Sequence, residues 1–268
     1  VRPAAVAGLF YPEERAALER DVRDLLASAA DTADAADAAR GPGKAYLLPH
    51  AGYQYSGSTA ALGYAELARA RDRVHRVVLL GPTHRVAVDG LALPGAHAFA
   101  TPLGDVRAVE PEPAVLAALP QVVVRPVVHA LEHSLEVHLP FLQVALGDVE
   151  VLPLAVGRAA PEDVAAVLDA VWGGPETVVV VSSDLSHYLT YEQAATVDAV
   201  TVGQVLRLEG PLGHEQACGA TPLNGLLVAA RRRGLRPRLL GACSSGDTAG
   251  DRRRVVGYAA VAFDEPAV

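Results

Sequence analysis

A chain of 268 residues with 51% hydrophobic content can bury one large core, and its length fits a single domain over 1–268. Lysine and arginine total 23 against 31 aspartates and glutamates, a net charge of −8 that argues against a nucleic-acid footprint; the short clusters Arg231 to Arg233 and Arg252 to Arg254 read as solvated faces. No apolar run reaches a membrane span, VRPAAVAGLFYP lacks a signal peptide's apolar centre, and two cysteines, Cys218 and Cys243, exclude a disulfide framework, so a cytoplasmic protein without a membrane partner is expected.

In chain order, Leu18, Val22, Leu25 and Leu26 carry helical spacing over residues 13–28. The tract ADTADAADAARGPG at 30–43 reads as an exposed connector. Tyr46, Leu47 and Leu48 form an apolar run that breaks at Pro49 and places His50 at a strand's carboxyl end, the edge where ligands collect in open α/β sheets. A helix over 58–71 leads to a strand at 76–80, read as the neighbour of the first, whose run VVLLGPTH breaks in the same way and delivers His84 at the same edge. Further strands are expected at 122–128, 149–156 and 177–183, with helices at 114–119, 134–146, 161–171 and 191–208. A helix over 221–233, a segment near 238–243 and a strand over 255–263 close the chain. Strands alternating with helices predict an α/β fold with a central, mostly parallel or mixed sheet and helices on both faces.

VVVVSSDLSHY at 178–188 is a third run of this kind, ending in Ser182, Ser183, Asp184, Ser186 and His187. A lone strand-end histidine reads as a satisfied loop hydrogen bond. Three polar strand ends on one rim do not read as packing, because burying unpaired imidazole or carboxylate costs several kcal/mol. They are read as a site.

The set AGLFYP (7–12), PHAGYQYSG (49–57), LGPTH (80–84), TPLG (101–104), EHSLEVHLPFL (132–142), SSDLSHY (182–188), CG (218–219) and VVGYAAVAF (255–263) resembles the Memo family, whose bacterial members are called AmmeMemoRadiSam system protein B. The resemblance runs through nearly the whole chain in order. It implies a fold like that of class III (LigB-type) extradiol dioxygenases, and a copper or iron ion held by two histidines and a cysteine at the positions of His50, His84 and Cys218. The system name implies association with AMMECR-like and radical SAM proteins.

Two imidazoles and a thiolate leave a coordination position open, as catalytic sites do, and the thiolate shifts preference toward copper(I), zinc or thiolate-tolerant iron. Cys218 also reads as a small buried hydrophobe, the usual fate of a free cysteine. Asp184 and Glu132 are the acids available to orient ligating rings, and His187 and His133 are candidate proton-transfer groups. By resemblance to the dioxygenases His187 comes first; His133 reads equally as a helix-start hydrogen bond. HALEH at 129–133 fits the H-x-x-E-H pattern of zinc peptidases, but the strand reading of VVVRPVV and a Ser134 helix cap put His129 before the helix, so the match reads as accidental. QACG at 216–219 lacks a residue of the caspase motif, Cys243 reads as core or supporting, His138 is given no role, and His75, His97 and His214 read as surface residues. Three functions follow as expectations. The first is a metal-dependent redox or oxygen-using enzyme with a small-molecule substrate. The second is a metal- or phosphopeptide-binding protein without turnover, and the third a zinc hydrolase using His129, Glu132 and His133.

Overall fold

A computed structural model describes residues 1–32 and 41–266; most of the connector tract, residues 33–40, lies outside the described residues. The first helix, α1 (Arg15–Thr32), leads to strand β1 (Ala45–Leu48), helix α2 (Tyr53–Ala68) and strand β2 (Arg76–Pro82). Short strands β3 (Leu91–Leu93), β4 (Ala98–Thr101) and β5 (Gly104–Ala108) precede α3 (Pro113–Ala117), β6 (Val122–Val124), α4 (Pro126–Ala130) and α5 (Leu139–Leu146). Then come β7 (Glu150–Val156), α6 (Pro161–Val171), β8 (Thr177–Ser182), β9 (His187–Leu189), α7 (Tyr191–Leu206), α8 (Ala220–Arg233), β10 (Arg236–Ser244) and β11 (Val255–Asp264).

The main path of the sheet runs β10-β11-β1-β8-β2-β7-β3-β6 and is mixed. β1, β8, β2 and β7 are parallel neighbours, while β11 joins β1, and β3 joins β7, antiparallel. The central strands are buried on both faces, which is why they read as unbroken apolar runs. Their alternation divides the core. Tyr46, Leu48, Val77, Leu79 and Val180 face α1, α2 and α5, where Leu18, Tyr64 and Phe141 are buried. Leu47, Val78, Leu80, Val179 and Val181 face α6, α7 and α8, where Leu168, Val205 and Leu226 are buried. Each large apolar side chain so buried contributes roughly 1.5–3 kcal/mol. No helix among the described residues is long and apolar enough to cross a membrane.

Four expectations are corrected. The strand expected over 122–128 stops at Val124, and Pro126 opens α4, because proline offers no N–H to a ladder and has its φ preset for a first helical turn. Ser134 caps no helix: its hydroxyl donates to the Pro82 carbonyl, and a 3₁₀ turn over Glu136–His138 precedes α5. The helix expected from 58 begins at Tyr53, whose ring is buried and whose hydroxyl donates to the Val137 carbonyl. β1 and β2 are not adjacent either, since β8 lies between them. That last difference gathers the site, because three successive parallel strands end on one edge and each carries one of the polar motifs.

The arginine clusters are engaged rather than gathered into a basic stripe. Arg232 and Arg233 pair with Asp169, Arg253 pairs with Asp251, and Arg252 and Arg254 lie over the rings of Tyr191 and Tyr188.

Candidate functional site

Pro49 ends the β1 ladder, and the next amide, that of His50, donates to Asp184 Oδ1 at 2.8 Å. His50 is buried. Two residues past β2, the His84 amide and Nδ1 both meet the Glu132 carboxylate, at 2.5 and 2.9 Å. The same carboxylate accepts the amides of His133 at 2.9 Å and Ser134 at 3.0 Å, and lies 3.3 Å from His133 Nδ1. Glu132 thereby brings a third ring to the rim. The His84 and His133 rings stack with centroids 4.7 Å apart, and His50 lies edge-on to them at 5.2 and 5.5 Å. One ring nitrogen from each of His50, His84 and His133 lies within 4.8 Å of the others, a separation one ion can bridge.

The electrostatics suit a cation. Burial opposes the charge on Glu132, but the His84 ring and amide and the Ser134 amide hold its carboxyl down at about 2, so it stays anionic behind two imidazoles. Burial lowers His50 well below the ordinary histidine value, helped by the neighbouring His84 and His133 rings, and brings His133 down to about 4. Both of these rings are neutral at working pH, the state in which an imidazole ligates a metal.

Cys218 stands just before α8. Its amide donates to the Asp184 carbonyl at 3.2 Å, and its Sγ accepts the Asp184 amide at 3.3 Å and lies 3.4 Å from His50 Nε2. Burial, with the adjacent Asp184 charge, pushes the thiol up to about 12, while His50 is pushed down. These shifts oppose a thiolate–imidazolium pair. Burial raises the Asp184 carboxyl to about 7, and its backbone partner is His50. His187 Nδ1 donates to the Leu185 carbonyl at 2.8 Å, and its side chain lines the same cleft. That cleft has a volume of about 1360 Å³ and is walled by Phe10, Arg85, Val156 and Tyr188 among others.

The family profile described as Memo-like protein matches residues 2–262. The chain belongs to the Memo family. It is 34% identical over 276 residues to a MEMO1 family protein of Methanosarcina acetivorans, covering 97% of this chain and 98% of the relative. MEMO1 family proteins of Aeropyrum pernix and Ignicoccus hospitalis are 33% and 32% identical, over 97% and 99% of this chain and 99% of each relative.

In this Memo chain the N-terminal residues 2–11 have a structural task at the site's back. The buried Arg2 guanidinium donates to the carbonyls of His129 and Glu132 and pairs with the buried Glu136 carboxylate. Glu136 also accepts the amides of Ala5 and Val6 and the Tyr11 hydroxyl, the last at 2.5 Å. The N-terminal residues thus strap down the turn that carries Glu132 and His133.

Other sequence readings fall on either side. His129 lies inside α4 rather than ahead of a helix, and its Nε2 donates to the Ala92 carbonyl at 2.8 Å, apart from the grouped rings. Cys243 lies 3.0 Å from Thr59 Oγ1 and does not line the cleft. His75 and His97 are exposed; His214 is exposed too, but at the cleft's edge, 3.3 Å from Thr221 Oγ1. His138, given no role by the sequence, is buried between Tyr64 and Ser182. Its signal was faint: a histidine flanked by the apolar positions Leu135, Leu139 and Leu142.

Proposed function

We propose that this chain is a metal-binding protein, with copper or iron before zinc, and that it acts as a redox or oxygen-using enzyme on a small substrate admitted to the cleft. The observation that carries the reading is the convergence of three ring nitrogens within 4.8 Å at the ends of parallel strands. His50 and His84 would hold the ion, with His133 as the donor already in place and Cys218, beside His50, as the thiolate donor the family resemblance implies. Bound there, the metal would supply redox capacity and Lewis acidity. A LigB-like fold over one domain, 1–268, belongs to the same proposal, as do AMMECR-like and radical SAM partners and a cytoplasmic location.

The chain's own groups have separable tasks in this reading. Glu132 orients the His84 and His133 rings and offsets cationic charge. His187, with Nδ1 occupied by Leu185, keeps Nε2 for moving a proton at the substrate, and Asp184, with its carboxyl near 7, fixes the His50 backbone and takes or gives a proton at neutral pH. A zinc-hydrolase reading finds less support, because His129 is engaged elsewhere and Glu132 is surrounded by donors that leave it no freedom to act as a base. A ligand-binding reading without turnover, including phosphopeptide capture, draws on Arg85, exposed on the cleft wall with no ion pair among the described residues.

Metal analysis of protein purified with and without air tests the proposal. We expect close to one copper or iron per chain in the unmodified protein and nearly none in His84→Ala. Equal metal in both would sink the assignment. His187→Ala should keep its metal and lose turnover by about a hundredfold or more, the usual worth of a general acid–base group. Loss of metal from that variant would make His187 a ligand instead.

A further inference from the structure

Beneath the rim lies a polar cluster that the proposed chemistry does not use. Ser182, the last residue of β8, has its Oγ 2.5 Å from His50 Nδ1, 2.8 Å from His138 Nε2 and 2.7 Å from the Ser134 carbonyl. The far nitrogen of His138, Nδ1, lies 2.7 Å from the Tyr64 hydroxyl. His50, Tyr64, Ser134, His138 and Ser182 are each at most 2% exposed, so water does not settle their hydrogen bonds.

The protons in this cluster can be assigned by counting. A serine hydroxyl has one proton to donate and two lone pairs to accept with. The Ser134 carbonyl can only accept, so the Ser182 proton goes there. Its two lone pairs then accept from His50 Nδ1–H and His138 Nε2–H, and the Tyr64 hydroxyl donates to His138 Nδ1. Each of these groups is satisfied and none is charged. Sending the Ser182 proton to His50 instead would leave two oxygens facing each other at 2.7 Å without a hydrogen between them, a buried contact left unsatisfied. Burial also lowers His138 to about 3, consistent with a neutral ring.

The chain of contacts leads away from solvent. The Tyr64 ring stacks on Phe141 in the core, with centroids 5.0 Å apart, so a proton passed to it has no exit. The arrangement therefore fixes a state and does not conduct.

We infer that Ser182, backed by His138 and Tyr64, is a positioning residue that locks His50 as its Nδ1–H tautomer and keeps the Nε2 lone pair facing the cleft beside Cys218. His84 and His133 take their orientation from the Glu132 carboxylate, whereas His50 takes its own from a neutral hydroxyl. The rim thus has two rings backed by charge and one that is not. The consequence for affinity rests on the metal-site reading above; the tautomer itself does not.

The test is the ring-nitrogen NMR spectrum of metal-free protein labelled with ¹⁵N-histidine, followed by zinc(II) titration. The expected spectrum has His50 protonated on Nδ1 and His138 on Nε2. In Ser182→Ala, His50 should become a mixture of tautomers and zinc(II) affinity should fall about ten- to a hundredfold, the usual cost of losing a ligand's hydrogen-bond partner. His50 protonated on Nε2 in the unmodified chain overturns the inference. So does a Ser182→Ala protein that folds and leaves His50 wholly Nδ1-protonated. If that variant fails to fold, the spectrum of the unmodified chain decides alone. The expected ring protons in a chain that binds no zinc, copper or iron would leave the lock standing and defeat the metal reading.

Discussion

Glu136→Gln is expected to lower the stability of the metal-free protein by about 3–5 kcal/mol at neutral pH, the cost of leaving a buried guanidinium without its counter-charge. Arg2 and Glu136 are 5% and 0% exposed, so the discount that applies to surface pairs does not arise here. Replacing the ion pair as a whole by apolar residues would not restore stability, although such swaps are often neutral elsewhere. Glu136 also serves the amides of Ala5 and Val6 and the Tyr11 hydroxyl, and an apolar residue would orphan all three. Urea unfolding followed by circular dichroism measures the effect. A change under about 1 kcal/mol would mean that the strap is held by its apolar contacts, chiefly Val6 and Tyr11 in the core, and that the polar network adds little.

The same network shows how much of the site could be read from the sequence. His50, His84 and the 182–187 motif follow strands buried on both faces, and these strands announce themselves as apolar runs cut by proline, by glycine or, at 182–184, by serine and aspartate. Their common edge follows from parallel pairing. What gathers the remaining side chains is tertiary. His133 reaches the rim because one carboxylate, Glu132, collects the groups around it, and no spacing in EHSLEVHLPFL encodes that turn. His138 needed the 3₁₀ turn over Glu136–His138 to lie against the end of β8 before its ring could meet Ser182. Short strands such as β3 and β9 are three residues each, too brief for alternation to register. The run VVVRPVV contains Pro126, and a strand reading of its apolar residues passes over that proline. Family resemblance supplied what pattern could not, pointing to Cys218, which the fold brings to 3.4 Å from His50 Nε2.

Whether Cys218 ligates decides how metal affinity responds to pH. A thiol must lose its proton to bind, and with its own pKa pushed up to about 12 it is protonated at every pH of interest. Each metal bound through sulfur therefore releases one proton, and apparent affinity rises tenfold per pH unit. Between pH 7.5 and 9 the unmodified chain should gain about thirtyfold in zinc(II) affinity by this route. The window lies above the ordinary imidazole range, and His50 and His133 are displaced still further below it, so these rings contribute no slope. Asp184, with its carboxyl near 7, has mostly completed its own ionisation by the start of the window. Cys218→Ser removes the proton to be released and should bind zinc(II) more weakly, with an affinity that is flat over the same range. Competition titration against a chelator of known pH dependence separates the outcomes. A flat profile in the unmodified chain would assign the ion to His50, His84 and His133 alone and leave Cys218 a neutral thiol beside them. A thirtyfold rise that survives in Cys218→Ser would show that some other group sheds the proton.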